Sequence, residues 1–253
     1  MTDPALLLPK LLAVADRAGA VILEHYAGDL EVARKADRSP VTVADEDAER
    51  VILEALRELT PDIPVVAEEA VARGEIPSVG GGRFWLVDPL DGTREFISKN
   101  GEFTVNVALV EGDQPLLGVV TAPAKGWAWW GAAGQGAFRR EDGEVEPICV
   151  RPRPQQGVVA VASRSHRDAE TDAWLAERGI ADTVSAGSSL KFCLVAEGKA
   201  DVYPRFGTTM EWDTAAGHAV LRAAGGRVVT VEGKPLVYGK PGFKNPGFIA
   251  EGG

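Results

Sequence analysis

A layered α/β architecture is what this sequence predicts, and three observations predict it. Apolar residues recur at helical spacing over Leu6 to Tyr26 and again over Thr214 to Ala224. Short branched runs such as Ile63 to Ala67 and Phe84 to Val87 read as strands. In the second half of the chain the two kinds of segment alternate, the pattern of helices laid on sheets.

The elements follow in order. Ala44 to Leu59 is a second amphipathic helix, entered through the polar stretch Lys35 to Thr42 with acids in its first turns and ended by Pro61. The strand Ile63 to Ala67 stops just before Glu68 and Glu69, and Arg73 to Gly82 is a polar, glycine-rich loop. Phe84 to Val87 is a compact strand broken by Pro89 and Gly92. Thr104 to Val110 and Leu116 to Thr121 are neighbouring strands joined by a turn at Glu111 to Pro115, and Trp127 to Trp130 is a further strand. Its three tryptophans lack interleaved basic residues, so sheet packing is expected rather than base stacking.

Arg140 to Gln156 is charged and proline-rich and reads as a seam, giving an N-terminal α+β half over 1–150 and an α/β half over 151–253. Beyond it come a strand over Gly157 to Ala162, helices over Arg167 to Glu177 and Leu190 to Glu197, and a strand over Asp201 to Tyr203. The helix over Thr214 to Ala224 and a strand over Arg227 to Val231 complete the pattern.

Composition bounds the function. The chain has 253 residues, 45% hydrophobic and 25% charged, enough for a real core in one large domain or two modest ones. Two cysteines, Cys149 and Cys193, are too few for a disulfide scaffold, and a reducing, cytoplasmic setting is the expectation. No segment approaches ~18 uninterrupted apolar residues, so a transmembrane span is not expected, while peripheral membrane association stays open. With 37 acidic against 27 basic residues the formal charge is −10, which opposes a broad nucleic-acid-binding face. A small polyanion could still bind where arginine, lysine or a metal ion is placed locally.

The sharpest local signal is Asp88-Pro89-Leu90-Asp91-Gly92-Thr93, directly after a strand. Proline restricts the backbone and glycine permits an unusual turn, so two carboxylates, the Leu90 carbonyl and the Thr93 hydroxyl can converge. Such hard oxygen donors suit Mg2+ rather than zinc. Glu68 and Asp213 would complete the cluster, and gathering these carboxylates around cations would offset their mutual repulsion. Asp45 and Asp213 also fit a plainer role as acids at helix starts. His25, His166 and His218 are dispersed and show no paired zinc spacing, although His166 lies in Ser163-Arg164-Ser165-His166, a polar run after a strand suited to a base or phosphate contact. Gly187-Ser188-Ser189 followed by Lys191 offers amides, hydroxyls and an ammonium at a helix start, and Arg205 adds a guanidinium after a short strand.

These motifs together resemble the inositol monophosphatase superfamily of lithium-sensitive, Mg2+-dependent phosphomonoesterases. The resemblance rests on Pro40-Val41-Thr42 with Ala44-Asp45, on Glu68-Glu69, on Asp88 to Thr93, and on Trp212-Asp213 with Ala215-Ala216, and it covers nearly the whole chain. Phe84 to Val87, Asn100 to Asn106, Ser163 to His166, Gly187 to Gly198, Tyr203 to Gly207 and Asn245 to Phe248 are similar to its bacterial 3'(2'),5'-bisphosphate nucleotidase branch. Arg94 stands where lysine is frequent, Thr208 where proline is expected, and Ala67 where serine or glycine is common.

The resemblance implies a layered αβαβα fold and two or three Mg2+ ions, held by Glu68, Asp88, the Leu90 carbonyl, Asp91 and Asp213, with Asp88 bridging two of them. It further implies that Asp45 and Thr93 orient and help deprotonate the attacking water, that a third ion near Glu68 assists, and that attack on phosphorus is in line. Gly92, Thr93, Ser163, Arg164, Ser165, His166, Gly187, Ser188, Lys191, Arg205 and Asp213 are then the substrate contacts, Lys191 and Arg205 holding a 5'-phosphate. The expected reaction is hydrolysis of 3'-phosphoadenosine 5'-phosphate to AMP, with its sulfated analogue as a second substrate and a role in sulfur metabolism. An inositol or sugar phosphatase with the same centre is the enzymatic alternative, and a catalytically silent phosphate-binding protein the alternative of another class. The partner is a small nucleotide, with no nucleic acid, and both monomer and homodimer are open.

Overall fold

A computed structural model describes residues 4–28, 32–34, 40–163 and 168–253. In chain order it contains α1 (Pro4–Ala27), the antiparallel pair β1 (Val32–Arg34) and β2 (Pro40–Thr42), α2 (Val43–Leu59), β3 (Val65–Ala67) and the short α3 (Glu68–Ala72). Next come β4 (Arg83–Asp91), the short α4 (Thr93–Ile97), β5 (Thr104–Glu111), β6 (Gln114–Ala122), β7 (Trp127–Ala132), β8 (Gly136–Glu141) and β9 (Glu144–Ile148). The remainder is β10 (Val159–Ser163), α5 (Ala169–Glu177), β11 (Asp182–Ala186), α6 (Leu190–Ala196), β12 (Val202–Arg205), β13 (Thr209–Met210), α7 (Glu211–Ala223), β14 (Arg227–Thr230), β15 (Lys244–Asn245) and β16 (Phe248–Glu251).

Two large sheets organise these elements. The first has seven strands in sequential order from β3 to β9, with β3 and β4 parallel and every later neighbour antiparallel. The second has five strands in the order β11, β10, β12, β16, β14. Strand periodicity assigns each face. Trp85, Val87, Val105, Val107 and Leu109 turn toward α1 and α2, whereas the alternate residues Phe84, Leu86, Ala108 and Val110 share a core with α6, α7 and the inner face of the second sheet. On that sheet's outer face Leu175 of α5 packs with Ala160, Val202 and Ile249. The layers therefore run α1/α2, seven-stranded sheet, α6/α7, five-stranded sheet, α5, which is the expected αβαβα arrangement.

The central helix layer is held close. A Cβ on Gly118 of β6 would lie 2.5 Å from the Ala216 carbonyl oxygen of α7, so glycine is what lets helix and sheet approach. Phe192 of α6 is buried between its stacked partner Phe248 and the edge-on ring of Tyr203. Burying such a ring stabilises by roughly 1.5–3 kcal/mol.

The tryptophans of β7 pack as expected: Trp129 is buried, Trp127 meets it edge-on, and Trp130 stacks on Phe138. The structure also corrects two readings. Pro89 does not end its strand, because β3 pairs with β4 only as far as Val87 and a bulge lies between Asp88 and Asp91, so the missing N–H falls where the ladder is already interrupted. The stretch over Arg140 to Gln156 is not all connection, since β9 pairs with β8 there as an edge strand guarded by Glu144, Glu146 and Pro147. One buried cluster includes side chains of both sheets, so the two halves share a core.

Candidate active site

The site grows from the parallel pairing of β3 and β4. Ala67 is opposite Val87, so the next residue on each strand, Glu68 and Asp88, leaves the same end of the sheet side by side. Glu68 opens α3, while Asp88 is 2% exposed and its Oδ1 accepts from the Leu90 amide at 3.0 Å. The turn is completed by Gly92 at φ +91°, where a Cβ would lie 2.1 Å from the Ser188 hydroxyl. Asp213 arrives from α7. Ligand oxygens of Glu68, Asp88 and Asp213 all lie within 4.8 Å of one another.

Asp91 and Asp213 act on each other electrostatically. Burial, then the charges of Asp91 and Glu68, push the Asp213 carboxyl well above the usual carboxylate range. Burial also raises Asp91, against the pull of the Lys191 ammonium and hydrogen bonds from Ser189 and Asn106. Carboxylates crowded in this way need a cation to stay ionised, and an all-oxygen donor set fits a hard divalent ion. The acidic cluster could therefore hold a metal.

Asp45 is placed behind this centre. It is 2% exposed, its Oδ2 accepts from the Thr42 amide at 2.8 Å and the Thr42 hydroxyl at 2.7 Å, and its Oδ1 accepts from the Thr93 hydroxyl at 3.4 Å. Thr93, with Glu68, Asp88, Leu90, Asp91 and Asp213, lines a cavity of about 280 Å³.

Gly92, Ser163, Ser188, Lys191 and Arg205 line the same cavity. Lys191 is 5% exposed, donates to the Ser188 carbonyl and lies over the Tyr203 ring; burial lowers its ammonium to about 8, with Asp91 opposing that shift. Ser188 sits at φ +47°, its hydroxyl 2.8 Å from the Asp91 carbonyl and 2.7 Å from the Glu102 carbonyl. Gly187 is not among the residues that line the cavity, and its amide donates to Glu102 Oε2 at 2.8 Å. Arg164, Ser165 and His166 lie outside the described residues. His218 is buried in α7 against Tyr238 and is not part of the group formed by Glu68, Asp88 and Asp213.

Sequence reasoning missed the bonds that join a layer of polar residues beneath the cavity. Ser189, Asn106 and Thr104 hydrogen-bond to Asp91 Oδ2, and buried Glu211 accepts the Gly239 and Lys240 amides at 2.7 and 2.9 Å. Asn106 interrupts an apolar strand and Ser189 belongs to the Gly187-Ser188-Ser189 motif, but neither signal pointed to Asp91.

Comparison with known proteins finds relatives over nearly the whole chain. The model of the inositol monophosphatase family matches residues 6–248. The 3'(2'),5'-bisphosphate nucleotidase CysQ of Escherichia coli K12 is 50% identical over 96% of this chain and 98% of its own length. That of Buchnera aphidicola is 41% identical over 96% and 93%. Among solved structures, CysQ from Bacteroides thetaiotaomicron superposes with TM-score 0.79 at 42% identity, covering 94% of each chain. The IMPase of Thermotoga maritima gives TM-score 0.80 at 28% identity, covering 96% of this chain and 91% of its own.

Proposed function

The chain belongs to the inositol monophosphatase family, and from that premise we propose that it is a Mg2+-dependent phosphomonoesterase acting on 3'(2'),5'-nucleoside bisphosphates. The preferred substrate on this reading is 3'-phosphoadenosine 5'-phosphate, cleaved to AMP, and the sulfated analogue is attacked at the same 3' position. One observation carries the choice: the cavity that holds the Glu68, Asp88 and Asp213 cluster is also lined by Lys191 and Arg205. A substrate with two phosphates has a use for both, one over the acidic centre and one on the cations.

Glu68, Asp88 and the Leu90 carbonyl would hold one Mg2+, Asp88, Asp91 and Asp213 a second, with a third near Glu68. Bound there, the ions would screen the phosphate charge, lower the pKa of a water and stabilise the leaving ribose oxygen. The rest falls to the chain itself. Because the Thr93 hydroxyl donates to Asp45, its lone pairs are left to accept a hydrogen bond from water in the cavity, orienting that water for in-line attack. Asp45, fixed by two bonds from Thr42, holds Thr93 in that orientation and receives the Thr93 proton as Thr93 takes one from the attacking water, leaving Asp45 as the carboxylic acid. Lys191 and Arg205 hold the 5'-phosphate. Residues 1–150 thus bring most of the cation ligands and residues 151–253 the phosphate clamp, with Asp213 reaching across. Among the described residues no helix is long and apolar enough to cross a membrane, and a cytoplasmic monomer or homodimer completes the reading.

The test is initial phosphate release from 3'-phosphoadenosine 5'-phosphate and inositol 1-phosphate in parallel, with Mg2+, without it, and with Mg2+ plus Li+. The expected result is preference for the nucleotide, loss without Mg2+ and inhibition by Li+. Preference for inositol 1-phosphate would keep the centre and overturn the substrate. Tight nucleotide binding without turnover would mark a silent binding protein.

A further inference from the structure

We propose that Ser189, itself fixed by Asn106, is a positioning residue that sets the orientation of the Asp91 carboxylate toward the cation centre. The inference rests on the reading of Asp91 as a cation ligand. Asp91 Oδ2 has the Ser189 hydroxyl at 3.0 Å and the Asn106 Nδ2 and Thr104 Oγ1 atoms each at 3.4 Å. All three donors are buried, at 2%, 1% and 0% exposure. Donors converging on one oxygen fix the carboxylate plane and leave the other oxygen, Oδ1, for the cavity.

Ser189 does more than fill space. Its hydroxyl also lies 2.9 Å from the Asp213 carbonyl oxygen and 2.9 Å from Asn106 Nδ2. The amide of Asn106 can only donate to it, so the serine's single proton is directed to Asp91 or to the Asp213 carbonyl, and the charged acceptor is favoured. One hydroxyl, placed just before α6, therefore touches the end of β4 and the first turn of α7, which carry two of the proposed ligands. The orientation of Asn106 points the same way. Both of its N–H groups face Ser189 and Asp91, and its buried Oδ1 has no hydrogen-bond partner among the described residues. Reversing the amide would set its carbonyl oxygen against the Asp91 carboxylate. A buried carbonyl left unpaired to keep a carboxylate in place is a sacrifice of stability that a purely structural serine–asparagine pair would not require.

The experiment uses the full chain with Mn2+ as the probe, its binding followed by electron paramagnetic resonance without substrate, for Ser189→Ala, Asn106→Ala, the double variant and Asp91→Asn. Ser189→Ala and Asn106→Ala are each expected to weaken Mn2+ binding about tenfold. The double variant should fall well short of the product of the two, since the residues act as one network. Half-activation by Mg2+ should move to higher concentration in parallel, while KM for the nucleotide at saturating Mg2+ stays within about twofold. Ser189→Thr, which keeps the hydroxyl, should restore binding. Unchanged Mn2+ affinity in folded Ser189→Ala, or in Asn106→Ala should the serine variant not fold, overturns the inference. If Asp91→Asn weakens binding and the serine variant does not, only the positioning role falls; if Asp91→Asn binds normally, the reading of Asp91 as a ligand falls with it.

Discussion

The first turns of α2 and α7 are built alike and used differently. Asp45 and Asp213 each occupy the third position of their helix, and each Oδ2 accepts the backbone amide of the residue before the helix, Thr42 or Met210, at 2.8 Å. What separates them is the neighbourhood. Asp45 gains a second donor from the Thr42 hydroxyl and meets Thr93, whereas Asp213 is buried facing Asp91 and Glu68, and burial followed by those charges raises its carboxyl well above the usual carboxylate range. Capping a helix and serving a site are thus compatible uses of one carboxylate, and the surroundings of the group decide which chemistry it performs.

Asp213→Asn should break the comparison most sharply. The amide oxygen can still cap Met210, yet losing a proposed cation ligand should lower kcat by more than ~100-fold, beyond what loss of an outer partner does. The same change should stabilise the metal-free protein by about 0.5–2 kcal/mol at neutral pH, read as a higher Tm in chelator. The sign follows from the raised folded pKa: stability is intact below the ordinary carboxylate value and is lost as pH rises through the folded one. The advantage of the variant should accordingly vanish near pH 4.

Asp45→Asn should do the reverse. With Thr42 still donating to the amide oxygen, the new NH2 faces Thr93 and inverts that hydrogen bond, so kcat should fall about 100-fold with no gain in metal-free Tm. Mn2+ affinity should stay close to wild type, and a large loss would move Asp45 into the cation shell.

The smallest effect sharpens the contrast from within α7. Burial lowers His218 to about 3, so its neutral form is favoured and stability is lost as pH falls from the ordinary histidine value of 6.5 toward the folded one. The unfolding free energy from denaturant titration should drop by roughly 1–3 kcal/mol between pH 6.5 and 4.5, and His218→Gln should reduce that slope.

The contrast also marks what a sequence can reveal. Helices long enough to repeat their apolar face were legible, as was the Asp88 to Thr93 turn, because proline and glycine announce backbone geometry through their own chemistry. α3 and α4 have five residues each, too few to establish a period. β11 was missed because four of its five residues are exposed and three, Asp182, Thr183 and Ser185, are polar. Ser189 and Asn106 bond across 83 residues, a partnership no local pattern encodes. The candidate ligands were readable as residue types at turns; the layer that supports them was not.

β16 has a further consequence for how the molecule is made. It fills the place between β12 and β14 although β13, α7, β14 and β15 separate it from β12 in the chain, and β14 has no other neighbour in that sheet. Until residues 248–251 have left the ribosome, the second sheet is two fragments, and Arg205 at the end of β12 has no fixed seat beside Lys191. Emerging chains would thus carry the acidic turn of the first sheet well before the cationic wall exists, and an interrupted synthesis product would expose strand edges rather than a half-working cavity.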